Sequence, residues 1–265
     1  MTISTPRDSP RHAVLGIDAA WTAHHPSGVA LAVQDGAGWR LAGLWPSYSD
    51  FTGGGGAADD LIAACLHHCG RAPDLVAVDM PLSLDPIVGR RVSDNAVSRA
   101  YGGRGAGTHS PSASRPGPIA DDLRRGFADL GYGLCTEACP DGRLAEVYPH
   151  PALIELTGAS RRLPYKVGRI GAYWRGLAPA QRRVALMRVW RDVLDHLQAA
   201  LPGSDAALPL PPPDARLATL KATEDQLDAI ICALAGIHIL SGTAQAYGDA
   251  RSAIWVPKFA GARLG

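Results

Sequence analysis

The sequence is poor in lysine and has no long apolar run. Of its 26 basic residues only three are lysines, at positions 166, 221 and 258, and the other 23 are arginines. No apolar run approaches the ~20 residues that cross a bilayer, so we expect no membrane-spanning segment and no membrane partner. The formal net charge of +1 excludes a polyanion binder that acts through overall charge alone.

The five cysteines are an odd number, and no secretory signal pattern precedes them. Both facts favour free thiols in a reducing cytoplasm, so we expect a cytoplasmic protein. Zinc binding is an alternative, because two groups of candidate ligands are closely spaced: Cys65, His67, His68 and Cys69, then Cys135 and Cys139. The first group lies on a helical apolar pattern, however, where thiols usually pack as small hydrophobic groups.

The 265 residues are enough for one large domain, which we place at residues 12–265 after a disordered tail at 1–11. The middle of this domain is basic, since residues 90–191 hold seventeen Arg or Lys and eight Asp or Glu. Such an excess is typical of a surface that contacts a phosphate backbone. The arginine-rich composition of the whole chain explains it equally well.

Four strands and a crossover define the predicted sheet. Residues 13–18, 28–33 and 39–45 form antiparallel strands joined by short turns, and the first has the unbroken apolar run of a strand buried on both faces. A helix at 57–69 leads to a further buried strand at 74–79. A right-handed crossover of this kind places the new strand parallel to the first and beside it.

The rest of the chain is predicted to be mainly helical. Residues 80–118 have no sustained periodicity: a short helix is expected at 89–99, and residues 101–118 are rich in Gly, Ser and Pro, which predicts a long flexible loop over a functional site. We expect helices at 119–130, 151–156, 179–201 and 223–241, and strands at 144–148 and 253–257.

Four aspartates are predicted to meet at one end of this sheet. Asp18 and Asp79 each end a buried strand, while Asp225 and Asp228 lie three residues apart and so share a face of the last helix. Capping of that helix by Thr223 explains Asp225 but not Asp228, which lies deeper among apolar residues. Four converging carboxylates repel one another unless cations neutralise them.

Carboxylate oxygens prefer hard cations, so the predicted cofactor is Mg²⁺ or Mn²⁺, as one ion or as two ions ~4 Å apart. Ions placed in this way activate a water molecule and stabilise the leaving oxygen in phosphodiester hydrolysis. No Ser-His-Asp or Cys-His arrangement offers a nucleophile instead. The predicted function is therefore a metal-dependent nuclease, with the four aspartates as metal ligands and catalytic residues.

Further candidate residues accompany these acids. Glu146 is a candidate catalytic residue at the end of the 144–148 strand, either as a metal ligand, as a support for one, or merely as the partner of an arginine. The candidate substrate-binding residues are Arg91, His109, His150, Lys166 and Arg169. Lys166 and Arg169 would grip a phosphate, and His109 would carry a proton to the leaving group. Ordinary turn and surface roles stay open for these side chains.

The order of these motifs resembles the ribonuclease H-like superfamily. Two apolar strands that end in aspartate, followed by a late helix with the Asp-x-x-Asp-Ala of residues 225–229, are similar to resolvases of the RuvC type. More closely, segments over nearly the whole chain resemble the domain-of-unknown-function family four-two-nine, described as predicted nucleases of the ribonuclease H fold. These segments are 16–18, 78–81, Arg91 with Asp94 and Arg99, 146–151, 165–169, 225–229 and 248–257.

The resemblance implies an α/β fold with a mixed five-stranded sheet of order 3-2-1-4-5 and helices on both faces. It also implies a divalent metal held by Asp18, Asp79, Asp225 and Asp228. Resolvases often have glutamate where this chain has Asp79, whose shorter reach changes the placement of the metal. Action on a branched junction would in addition require a homodimer.

Two other classes of function stay open. The same fold and acids would suit a protein that binds nucleic acid or another protein without cutting. An actin-like or sugar-kinase-like phosphotransferase shares the sheet topology, but it needs a Gly- and Ser/Thr-rich turn after the first acid. Here that turn is Ala19, Ala20 and Trp21. No RNA-recognition pattern or helix-turn-helix spacing indicates which nucleic acid would be bound.

Overall fold

A computed structural model describes residues 11–22, 25–137, 139 and 143–259. Apart from residue 11, the tail predicted at 1–11 lies outside the described residues. Among the helices in these ranges, none is both long and apolar enough to cross a membrane.

A seven-stranded mixed sheet forms the centre of the protein, and its order is β3-β2-β1-β4-β5-β7-β6. The strands are β1 (His12–Asp18), β2 (Gly28–Asp35), β3 (Gly38–Trp45), β4 (Leu75–Val78), β5 (Leu144–Val147), β6 (Ala244–Gly248) and β7 (Ala253–Pro257). β1, β4, β5 and β7 run parallel to one another, whereas β2, β3 and β6 are antiparallel to their neighbours. The predicted crossover is confirmed, because β4 lies beside β1 and parallel to it.

The predicted order 3-2-1-4-5 is confirmed for the first five strands, but the prediction of a sheet with only five strands is wrong. β6 and β7 form an antiparallel hairpin near the end of the chain, and β7 pairs with β5. β5 is buried along its whole length, so the backbone groups on its outer edge need a partner. β7 supplies that partner and β6 becomes the edge strand.

Most predicted helices are present with small shifts at their ends. The α-helices of the described chain are α1 (Tyr48–Thr52), α2 (Ala58–Cys69), α3 (Val92–Tyr101), α4 (Pro118–Asp129), α5 (Pro149–Thr157), α6 (Ile170–Tyr173), α7 (Pro179–Ala200), α8 (Ser204–Ala207) and α9 (Leu217–Leu240). The segment 80–118 contains α3 and a 3-10 turn at Gly102–Arg104.

Helices cover both faces of the sheet. One face packs against α1, α2 and α4, and the other packs against α5, α7 and α9. Gly16 of β1 and Ala77 of β4 lie on the α9 face. Asp18 and Asp79 lie two residues further along the same strands, and since side chains alternate between faces, both are on the α9 face as well.

Glycines in the strands allow α9 to approach the sheet closely. A β-carbon at Gly16 would lie 2.4 Å from the carbonyl oxygen of Ala229, and one at Gly28 would lie 2.4 Å from that of Asp225. A larger residue at either position would push the helix away from the sheet. The two glycines thereby hold the acidic part of α9 against the ends of β1 and β2.

α9 begins at Leu217, more than one turn before the predicted start at Thr223. The predicted capping role of Thr223 is therefore wrong, and its hydroxyl instead donates a hydrogen bond of 3.0 Å to the carbonyl of Thr219. Asp225 and Asp228 both lie in the interior of the helix. Capping no longer accounts for Asp225.

The cysteines divide into two kinds. Cys135 and Cys139 are joined by a disulfide, with Cα atoms 4.6 Å apart, so the expectation of free thiols is wrong at these two positions. Cys65, Cys69 and Cys232 are free. The first two lie one turn apart on α2, with Sγ atoms 4.0 Å from each other. Nothing in the described ranges gathers these thiols with histidines into a zinc site.

Candidate functional site

Asp18 and Asp79 lie side by side at one end of the sheet, and we call them the strand pair. The parallel register matches Ile17 to Val78, so the residues that follow are neighbours. The backbone N–H of Asp79 donates a hydrogen bond of 2.9 Å to the carbonyl of Ile17. Neither carboxylate makes a hydrogen bond or an ion pair with any residue that the structure describes.

Burial and neighbouring acids make the strand pair hard to ionise. Burial raises the pKa of Asp79 to about 7, with a further rise from Asp228 and an opposing effect of Lys166. Burial and then Asp228 also raise the pKa of Asp18 well above its usual range. Two adjacent acids with raised pKa values form a site that a cation would stabilise.

Glu224, Asp225 and Asp228 share one face of α9, and we call them the helix acids. Their exposed fractions are only 3%, 5% and 0%. Nζ of Lys166 contacts Oδ2 of Asp228 and lies 3.5 Å from Oε1 of Glu224. Nζ of Lys221 lies 2.7 Å from the same Oε1 and 2.5 Å from Oδ1 of Asp225. Two of the three lysines in the chain thus form ion pairs with the helix acids.

The segment around Lys166 is fixed to α9 by buried hydrogen bonds. The hydroxyl of Tyr165 donates to Oδ1 of Asp228 at 2.7 Å, and the indole N–H of Trp190 donates to the carbonyl of Tyr165 at 2.8 Å. The backbone N–H of Val167 donates to Glu224. These contacts place the ammonium group of Lys166 in the acidic cluster, with 20% of its side chain exposed.

The ionisation of Lys166 and Asp228 follows from this contact. Burial lowers the pKa of Lys166, but Asp228, Tyr165 and Glu224 raise it, and the result lies well above the usual range. Burial raises the pKa of Asp228, while Lys166 opposes that rise. Lys166 is therefore a permanent positive charge within the cluster.

Arg91 and Glu146, predicted to act on substrate and in catalysis, bind each other. Nη1 and Nη2 of Arg91 lie 2.5 and 2.7 Å from the two carboxylate oxygens of Glu146, and Nη2 lies 2.9 Å from Oδ1 of Asp94. The backbone N–H of Leu82 donates to Glu146 at 2.8 Å. All three charged groups are buried. The geometry favours the interpretation of Glu146 as the partner of an arginine, in a network that joins α3 to β5.

A small cavity separates this network from the strand pair. Its volume is about 30 Å³, and its walls include Trp21, Asp79, His109, Glu146 and Tyr148. A space of this size is sufficient for a water molecule with several polar neighbours. Such a water would lie next to Asp79.

Basic side chains surround His150 close to the helix acids. Burial lowers the pKa of His150 well below its usual range, and Lys166, Arg162, His109 and Arg169 lower it further. Because these four groups are within electrostatic range of one imidazole, we call them the basic wall. Nδ1 of His150 and Nε of Arg162 are buried and have no hydrogen-bond partner among the described residues. Two buried nitrogens at or beside the basic wall therefore have unused hydrogen-bonding capacity.

The structure brings most of the predicted site residues into two adjacent groups. The first contains the four predicted aspartates with Lys166. The second contains His109 and His150 with Arg169. Arg91 and Glu146 lie behind the cluster, where each is the partner of the other.

Sequence reasoning missed Glu224, Lys221 and Arg162. Glu224 lies one helical turn before Asp228, which is a spacing that places both carboxylates on one face. Lys221 carries the same signal, because it lies three and four residues before Glu224 and Asp225 and lysine is rare in this chain. Nothing in the local sequence distinguishes Arg162 from the other arginines.

Each helix acid turns at least one oxygen to a lysine, whereas neither oxygen of Asp18 or of Asp79 has a partner among the residues that the structure describes. This arrangement agrees with a further observation. In the part of the chain that the structure describes, no three His, Cys, Asp or Glu side chains are grouped closely enough to hold a metal ion together.

The chain matches the model of a known protein family. A family model described as "Protein of unknown function (DUF429)" matches residues 16–252. The matched range contains the strand pair, the helix acids and the basic wall. A comparison with curated proteins finds no match.

Proposed function

The chain belongs to the DUF429 family, and we propose that it is a divalent-metal-dependent nuclease with a ribonuclease H-like fold. The proposed reaction is hydrolysis of phosphodiester bonds in nucleic acid. One observation carries this proposal: two acids without partners, Asp18 and Asp79, lie beside a wall of basic side chains. A cation at the first and a phosphate at the second would be neighbours.

The strand pair fits Mg²⁺ or Mn²⁺. Both ions prefer carboxylate oxygens. The raised pKa values of Asp18 and Asp79 mean that a nearby positive charge would stabilise their ionised forms. The helix acids fit less well, because Asp225 and Asp228 would each have to release a lysine before they could bind a metal. We therefore assign the ion to the strand pair. When bound, such an ion lowers the pKa of a water molecule and offsets charge on a phosphate.

The basic wall would hold the phosphodiester group. Lys166 and Arg169 carry fixed positive charge, and Arg162 offers an unpartnered Nε. Burial and then Arg162 lower the pKa of His109, so its imidazole is neutral near pH 7 and is suited to proton transfer. His109 also lines the small cavity next to Asp79. These residues supply binding and proton transfer without a protein nucleophile.

A nucleic-acid-binding protein without nuclease activity is the second candidate function. The ion pairs of Lys166 and Lys221 favour it, because they neutralise the helix acids without any metal. The phosphotransferase alternative has less support, since the turn after Asp18 contains two alanines where a phosphate-binding turn needs glycine and hydroxyl groups.

Cleavage assays separate these candidates. Labelled single-stranded and double-stranded DNA, RNA, hybrids and branched junctions are incubated with Mn²⁺ and the parent protein, Asp79→Asn or Asp214→Asn. Asp214 is exposed and lies before the start of α9, outside the cluster, so its variant is a matched control. We expect cleavage by the parent and the control, and a loss of more than about 100-fold in Asp79→Asn, since loss of a metal ligand exceeds the effect of its supports.

Two results would oppose the nuclease proposal. Equal cleavage by the parent and Asp79→Asn would assign the activity to another site or to a contaminant. Binding of a substrate by the parent with no cleavage at any Mn²⁺ concentration would favour the non-cutting alternative.

A further inference from the structure

A large cavity opens at the same end of the sheet as the strand pair, on the face opposite α9. Its volume is about 760 Å³, and it lies between α1, α2, α4 and the residues before β2. Ala20 and Met80 line it, and they follow Asp18 and Asp79 closely in the chain. The volume is in the range that binds small organic ligands. An occupant of this cavity would therefore be a near neighbour of the strand pair.

The walls of the cavity are mainly apolar, with several hydroxyl groups. The apolar side is formed by Met80, Ile119, Leu123 and Leu130, and the hydroxyls belong to Thr22, Ser27 and Tyr48. Oγ1 of Thr22 is buried without a hydrogen-bond partner among the described residues. Burial raises the pKa of Tyr48 to about 12, so its hydroxyl stays protonated at neutral pH. The cavity suits an apolar group with a polar edge.

The charges around the cavity exclude a phosphate as its occupant. Asp59, Asp122 and Asp129 line it, and no lysine or arginine is among the described lining residues. The basic side chains lie instead around Lys166 and Arg162, next to α9. A nucleotide chain that crosses this end of the sheet would have its phosphate at the basic wall and its base on the acidic, apolar side.

We propose that the cavity binds an unpaired nucleobase adjacent to the phosphate that is cleaved. This inference rests on the proposed function and specifies its substrate as a single strand, or a strand with one base out of the stack. Taking a base out of a duplex requires that it be unpaired and unstacked, whereas a single strand offers an unpaired base at little cost. The hydroxyls would bind the polar edge of the base, and the rim carboxylates would accept hydrogen bonds from its amino group.

Binding of free nucleosides tests the cavity without metal or catalysis. Adenosine and cytidine are titrated into the metal-free parent protein and followed by NMR saturation transfer, with ribose 5-phosphate as the probe that lacks a base. We expect saturable binding of a nucleoside and none of ribose 5-phosphate. Leu123→Trp, which fills the cavity from α4, should weaken nucleoside binding about tenfold or more. Ala128→Trp, on an exposed position of the same helix, should leave it unchanged.

A second variant guards against misfolding of Leu123→Trp. Tyr48→Phe removes only a hydroxyl, and we expect it to weaken nucleoside binding while circular dichroism stays unchanged. No saturable binding at millimolar nucleoside, equal binding by the parent and Leu123→Trp, or equal binding of ribose 5-phosphate would overturn the inference. Mn²⁺-dependent cleavage in that case would leave the nuclease proposal intact. Nucleoside binding without cleavage would support the cavity site and oppose the nuclease.

Discussion

The strand pair and the helix acids belong to one acidic cluster, but they differ in their basic partners. Asp18 and Asp79 end parallel strands and are each other's neighbours on the sheet, and neither forms an ion pair with a basic side chain that the structure describes. The helix acids lie on a helix face that one lysine shares and that a second lysine reaches from the turn at residue 166. Closeness of acids is therefore not enough to identify metal ligands. The vacancy of their oxygens distinguishes the two groups.

Removal of the charge of Lys166 should have the largest effect on the stability of the protein. In Lys166→Met, the fully buried Asp228 loses its partner, and an unpaired buried charge costs about 3–5 kcal/mol. We expect the free energy of unfolding in urea to fall by that amount. The double variant Lys166→Met with Asp228→Asn should recover most of the loss. A single variant as stable as the parent would mean that the ion pair contributes nothing.

The strand pair, which has no basic partner, should instead make the stability of the protein depend on pH. The pKa of Asp79 is about 7 in the folded protein, against an ordinary value of 3.8. The folded state thus binds this proton more tightly than the unfolded chain, and the stability it contributes is complete below the ordinary value and is lost as pH rises through about 7. Without divalent cations, we expect the parent to lose stability relative to Asp79→Asn over that interval.

Thermal unfolding of both proteins between about pH 4 and pH 8 checks this expectation. Saturating Mg²⁺ or Mn²⁺ should remove the difference by binding the ionised form. Parallel curves for the parent and Asp79→Asn without metal would show that Asp79 titrates alike in the folded and unfolded states.

The smallest loss of stability is expected from the substitution of Lys221, and it tests whether the two lysines contribute differently. Its side chain is 52% exposed, whereas that of Lys166 is 20% exposed. Since the half-exposed ammonium group of Lys221 is partly screened by water and salt, Lys221→Met should lower the free energy of unfolding by less than Lys166→Met does, and by less still in high salt. Urea unfolding at two NaCl concentrations measures both. A loss as large as that of Lys166→Met would place the two lysines in the same class.

Local patterns in the sequence predicted the sheet centre and the strand pair. The unbroken apolar runs before Asp18 and Asp79 identified buried strands, and the helical crossover fixed their parallel pairing. β6 was not predicted, because none of its residues is fully buried and no apolar run marks it. The start of α9 escaped as well, since the residue before it, Arg216, makes no side-chain capping bond that would mark a helix end.

The partners of the helix acids depended on distant parts of the chain. Lys166 reaches Asp228 across 62 positions, through a turn that Trp190 and Tyr165 hold in place. No periodicity or motif within a single element encodes such a contact. The sequence therefore predicted that the four aspartates meet but missed Glu224, and the fold determined which of these acids stay unpaired.

Titration of the metal-free protein with Mn²⁺ by isothermal calorimetry at neutral pH tests the central claim most directly. The proposed site predicts saturable binding by the parent and by Asp214→Asn, and its loss in Asp18→Asn and Asp79→Asn, with the fold of all four proteins verified by circular dichroism. Equal affinity for Mn²⁺ in the parent and both strand-pair variants would contradict it.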